Sequence, residues 1–261
     1  MLFPDKKSPL VRLSDAIKVG LAGCRDTSTA VLALYEEHRE SFEKMRALAA
    51  QNVPLEELRD AAARIPEEVS WRGGELQVRL HSQVLTVLLN CCFCLEAYAN
   101  TLAYYLFGEA DYLRLTASGR TASTEALTRA FEEMSVRDKW HRLAALGPGG
   151  GFDVSSQPYQ GFHVLFRFRD DMVHGKVSDL DEDLGPKRYG GRLPDPVTGL
   201  LAMEHAFFAA EVYWSMVLKL HEILGTNPED FHRHYNLMPW RDESVRQELK
   251  AVADRYKACL G

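Results

Sequence analysis

The side chains with the most chemistry in this sequence crowd into one stretch, GFHVLFRFRDDMVHGK, residues 161 to 176. Two histidines, two arginines and two aspartates alternate there with large apolar residues, and the run stops at His174-Gly175. A helix advances about 100° per residue, which sorts the stretch into two faces. Phe162, Leu165, Phe166, Met172 and Val173 share an apolar arc with Arg169 in its middle. His163, Arg167, Asp170 and His174 form a separate stripe at spacings of 4, 3 and 4.

On that stripe His174 falls in the last helical turn, where the negative end of the helix dipole favours imidazolium, and Asp170 one turn earlier pushes the same way. A histidine so placed trades protons near neutral pH, and Arg167 on the same face is suited to hold an anionic oxygen. The same four residues also describe an ordinary solvated helix face with i,i+4 pairs. Arg169 raises a different expectation. A guanidinium on a core-facing arc needs a carboxylate, and Glu96, within the apolar stretch 85–107, is the candidate. Together they would form a buried structural ion pair that locks two helices in register.

The elements that must position these residues read as helices. Strand signals are scarce. Asp26-Thr-Ser-Thr offers capping chemistry for a helix over 26–50, and Pro54 opens a shorter one. Gly73-Gly74 precede a long apolar helix to about Phe107, and Thr121 or Ser123 and then Ser135 start two short helices. The loop GPGGGFDVSSQP leads into a helix over 158–174, closed by Gly175. A strong helix over 200–224 follows, then an amphipathic segment after Pro228 and another over 242–259. The expected fold is a single all-α domain over residues 1–261. Its bundle core spans 75–225, with an N-terminal helical extension over 1–70 and a C-terminal one over 226–261. The acidic, Gly- and Pro-rich segment 178–199 is expected as an exposed insertion, with room for a short hairpin.

Composition narrows the function classes. A net charge of −6 argues against broad DNA or other non-specific nucleic-acid binding but leaves room for a small basic cleft. Five cysteines, three of them crowded at Cys91, Cys92 and Cys94, do not make a disulfide framework and fit a reducing cytoplasm. Pro4, two lysines and Pro9 break the N-terminal run, so no secretory signal is expected. The stretch 85–107 is long enough to span a membrane, yet Asn90, Glu96 and Asn100 interrupt it, and a bundle helix is the better reading. The Glu-x-x-His pattern of di-iron bundles is incomplete, with Glu229 and His232 as one match, so no metal or cofactor is expected.

RDDMVH, Arg169 to His174, has an arginine and a histidine separated by four residues, and Arg167 to His174 separates them by six. Late in a helical bundle, after CLEAYANTLAYYLF, this resembles the arginine–histidine signature of HEPN domains, over roughly residues 75 to 225. The resemblance implies a helical bundle that dimerises, bringing two motifs over one cleft. It implies either a metal-independent endoribonuclease or a non-catalytic, toxin–antitoxin-type binding module. In the first case His174 would move protons at the ribose 2′-hydroxyl or leaving oxygen, and Arg169 or Arg167 would stabilise phosphate charge. Asp170 would orient His174, while His163 and Lys176 would bind the RNA. In the second case the partner is a protein. Helix geometry and the signature pull apart here, because Arg169 and His174 lie about 140° apart on an ideal helix.

Overall fold

A computed structural model describes residues 9–51, 53–63, 65–106, 123–174, 189–194, 199–228 and 243–260. Among them are nine helices and no strand: α1 (Pro9–Glu37), α2 (Arg39–Ala50), α3 (Leu55–Ala62), α4 (Glu67–Leu106), α5 (Thr124–Glu132), α6 (Val136–Ala144), α7 (Tyr159–His174), α8 (Met203–Leu224) and α9 (Glu243–Leu260). The all-α bundle read from the sequence is the fold.

The axis of the bundle is α4, whose 40 residues extend about 60 Å. Leu80, Val84, Val87, Leu88, Cys91 and Leu95 recur at helical spacing along it and are fully buried. Its most extensive neighbour is α1, followed by α8; α9 lies on both α1 and α8, and α6 and α7 close the other end. By length and hydropathy α4 is long and apolar enough to cross a membrane. Here its apolar stripe is spent on neighbouring helices, and Asn90, Glu96 and Asn100 take partly exposed positions.

Three boundaries differ from the sequence expectation. The helix expected from Asp26 begins at Pro9, so Asp26-Thr-Ser-Thr lies inside α1. Thr27 and Ser28 are buried and the Thr29 hydroxyl donates to the Arg25 carbonyl at 2.8 Å, back-bonding within a helix rather than capping one. The stripe over 26–50 is instead broken at His38, which separates α1 from α2. Gly73 and Gly74, expected ahead of the long helix, lie inside α4, in its first turns, which hold no buried residue before Leu80, so the helix they extend is anchored from its C-terminal side. The Ser123 and Ser135 caps do form, accepting from Ala126 N at 3.3 Å and Asp138 N at 3.1 Å.

The glycine-rich loop after α6 has a steric reason to be one. A Cβ on Gly147 would sit 2.2 Å from the Ile223 carbonyl oxygen, because the loop crosses the C-terminal end of α8 at backbone contact. The segment expected over 228–242 lies outside the described residues.

Candidate functional site

Helix α7 carries the candidate residues and packs on α8 and α4. It approaches α8 at Gly161, where a Cβ would come within 2.7 Å of Val212 Cγ2. Phe162, Leu165 and Phe166 are buried, as the apolar arc requires, but the buried sector is rotated from the one expected. Phe168 and Asp171 belong to it, while Val173 is 64% exposed. The cause is the segment 189–194, which packs along that side. Tyr189 meets Phe168 edge-on at 5.5 Å and its hydroxyl donates to Asp171 Oδ2 at 2.7 Å. Tyr189 and Leu193 are buried and Arg192 lies over the Phe208 ring at 5.7 Å. This part of the expected exposed insertion is therefore anchored in the core. It forms a turn, and the acidic residues 178–188 lie outside the described residues.

Arg169 is half-buried and engaged. Its Nε and Nη2 donate to Asp170 Oδ1 at 3.0 and 2.6 Å, and its Nη1 lies 3.9 Å from Glu96 Oε2. The guanidinium also covers the Phe166 ring at 4.9 Å. Glu96 has a closer partner that the sequence reading missed: Lys139 on α6, fully buried, whose Nζ donates to Glu96 Oε1 at 3.3 Å. Glu96 thus joins α4 to α6 and α7, and the four groups Lys139, Arg169, Glu96 and Asp170 balance in formal charge. The signal for Lys139 was present. Val136, Lys139, Trp140 and Leu143 fall at the 3-and-4 spacing of a core-facing stripe, and all four are buried.

The stripe on the other side of α7 diverges. Asp170 is given to Arg169. Arg167 is exposed, with no hydrogen bond or ion pair among the described residues. His163 is partly buried, and burial first, then the fields of Arg137 and Arg167, hold its pKa below the ordinary imidazole value. It lines a pocket of about 480 Å³ with Arg137, His141, Val154, Tyr159 and Gln160. Within that wall the Tyr159 hydroxyl and His141 Nε2 share a 2.6 Å hydrogen bond. His174 closes α7, but the position of its side chain lies outside the description, as does Lys176 altogether.

Elsewhere the fold holds a buried polar chain that the sequence gave no sign of. His221 Nε2 meets the Tyr98 hydroxyl at 2.5 Å and Nδ1 meets Thr226 Oγ1 at 2.7 Å. Burial pushes His221 down to about 4 and Tyr98 well up, so both are neutral at pH 7. Cys91, Cys92 and Cys94 are buried thiols, with Cys94 pushed up to about 12, which makes them inert. Among the described residues no cluster of metal-ligating side chains exists.

What the fold defines is therefore a class, an all-α bundle organised on one long central helix with a charge-bearing helix laid across it. No family model matches the chain, and no curated protein or solved structure is significantly similar to it.

Proposed function

We propose that this chain is a HEPN-like helical module that dimerises and acts by binding a partner protein, its arginine–histidine signature kept for structure. The observation that supports this reading is the engagement of Arg169. A guanidinium that donates twice to Asp170 and lies against Glu96 is neutralised before any phosphate arrives. To stabilise charge developing on a phosphate it must first surrender those contacts, which is the opposite of a preorganised electrostatic site.

A second reading, a metal-independent endoribonuclease, is favoured by Arg167. It is exposed and unpaired among the described residues, and seven positions from His174 it shares that residue's face. In that case Arg167 rather than Arg169 would meet the phosphate, with His174 as the proton carrier.

One experiment separates the two. Mixed RNA is incubated in excess EDTA with wild type, His174→Ala and Arg167→Ala, and cleavage is followed on a gel. The module reading expects no cleavage above the buffer control from any of the three. Cleavage by wild type that disappears in both variants would overturn it in favour of the ribonuclease. Sedimentation of the wild-type chain measures the dimer, and a monomer at micromolar concentration would remove that part of the proposal.

A further inference from the structure

The pocket between α6, α7 and the loop ahead of α7 is assigned no role by the arginine–histidine signature, and its composition is unusual for an acidic protein. Arg137 is exposed on α6 and makes no hydrogen bond or ion pair among the described residues. Arg167 is in the same state one helical turn beyond His163, outside the pocket's lining but close enough for its field to reach His163. Some exposed arginines elsewhere on this surface are paired: Arg39 with Glu43 at 2.9 Å, Arg129 with Glu133 at 3.0 Å and Arg255 with Glu36 at 3.4 Å. Others, such as Arg59, Arg72 and Arg79, are unpaired among the described residues but stand apart from this pocket's lining. The acids nearest the pocket in sequence are engaged elsewhere. Asp138 accepts from the Ser135 hydroxyl at 2.7 Å, and Asp153 from the backbone and hydroxyl of Ser155 at 2.9 and 2.6 Å. The pocket thus gathers Arg137 and His163 with Arg167 a turn beyond, and neither arginine is ion-paired among the described residues, although Asp138, held by a neutral hydroxyl, keeps its charge nearby.

The rest of its lining is mixed, with His141 and Gln160 beside the apolar Val154, Tyr159 and Val164. Tyr159 is buried and held by His141 Nε2, with the two rings 4.8 Å apart. That bond leaves the other nitrogen of His141 without a protein partner among the described residues. Val154 is 58% exposed at the rim. A volume of about 480 Å³ suits a small organic molecule rather than a lone ion.

We propose that this pocket binds a phosphomonoester carried on an aromatic or similarly apolar body, with Arg137, Arg167 and His163 on the phosphate and Tyr159 and Val154 against the body. The stoichiometry of charge selects the phosphate. A phosphomonoester carries nearly two charges at neutral pH and three terminal oxygens, enough for two guanidiniums and an imidazole. A carboxylate offers one charge and two oxygens and leaves a guanidinium unmatched. Burial first, and then Arg137 and Arg167, hold the His163 pKa down, and the ligand would neutralise the two arginines. The inference stands apart from the partner-protein reading; it shares Arg167 and His163 with the ribonuclease reading, and Arg137, which that reading does not use, tells the two apart.

The test is a titration of the full chain with phenyl phosphate, followed by calorimetry and by amide and imidazole NMR shifts, with benzoate, phenol and inorganic phosphate as comparison probes. Phenyl phosphate is expected to saturate with a Kd below about 1 mM, and the other three to bind at least about tenfold more weakly. Arg137→Gln is expected to raise the Kd about tenfold or more and His163→Gln to raise it to a smaller degree. Arg129→Gln, which removes a guanidinium already held by Glu133, is expected to leave it unchanged. Arg137 is exposed, so its variant keeps the fold, and the thermal transition verifies this. Absence of saturation by wild type at about 10 mM, benzoate binding as well as phenyl phosphate, or an unchanged Kd in Arg137→Gln would each overturn the proposal.

Discussion

Arg167 and Arg169 leave the same helix two residues apart and meet opposite surroundings. Arg169 turns toward α4, loses most of its solvent and is matched by Asp170 and Glu96, with the buried Lys139 completing the group. Arg167 is exposed one turn beyond His163, with no ion pair among the described residues. The difference teaches how to assign a charged residue a role. Charge on a helix is informative only with its partners, because a compensated buried charge is structure, whereas an uncompensated exposed one is available to a ligand.

The contrast can be broken most forcefully at Lys139. Lys139→Ala removes a fully buried side chain and leaves Glu96 without its closest partner. The expected loss is about 3 kcal/mol, at the low end for a buried pair because the Glu96 side chain keeps 36% of its exposure and can rehydrate. Lys139→Met keeps the volume and should lose less than half as much. Equal losses in urea denaturation would show that charge, not packing, governs the site.

His221 tests whether buried polar groups outside the Glu96 cluster also govern stability. Its folded pKa of about 4 lies below the ordinary 6.5, so the unfolded chain takes up a proton first as pH falls. That contribution is complete above pH 6.5, declines through pH 5 and is exhausted near pH 4, amounting to about 3 kcal/mol in all. Unfolding free energies at pH 7 and pH 4 should therefore differ less in His221→Gln than in wild type. Parallel pH profiles would remove His221 from the account.

The smallest effects sharpen the comparison itself. Arg169→Met should cost about 1 kcal/mol, because the cation is half-buried and loses carboxylate and ring contacts together. Arg167→Gln should change stability by no more than about 0.5 kcal/mol, as for other exposed, unpaired positions. If the two variants unfold at the same denaturant concentration, the division of α7 into a structural and a ligand-facing side fails.

Much of this organisation was legible in the residues. Periodicity located the helices, and the core-facing placement of Arg169 and the buried sector of Phe162, Leu165 and Phe166 followed from one helical wheel. What escaped was non-local. Lys139 sat in a stripe with Val136, Trp140 and Leu143 that the wheel would have caught, yet its partner lies 43 positions earlier. Asp171 was placed on neither face, because Tyr189, which buries it, comes from a segment whose composition advertises only a loop. The false helix start at Asp26 shows a local signal losing to context: the Thr29 hydroxyl found the Arg25 carbonyl within α1 instead. His141 and Tyr159, flanking the GPGGG loop, become neighbours because that loop reverses the chain, a geometry spacing alone does not encode.

The hydrogen bond from Tyr189 to Asp171 joins positions 18 apart and returns the chain to the helix it has just left. In polymer terms it is a staple that closes a ring, and the free energy of closing a flexible ring grows by only about 0.6 kcal/mol for each doubling of its contour. Residues inserted or deleted between the two anchors would therefore leave the seating of α7 almost untouched.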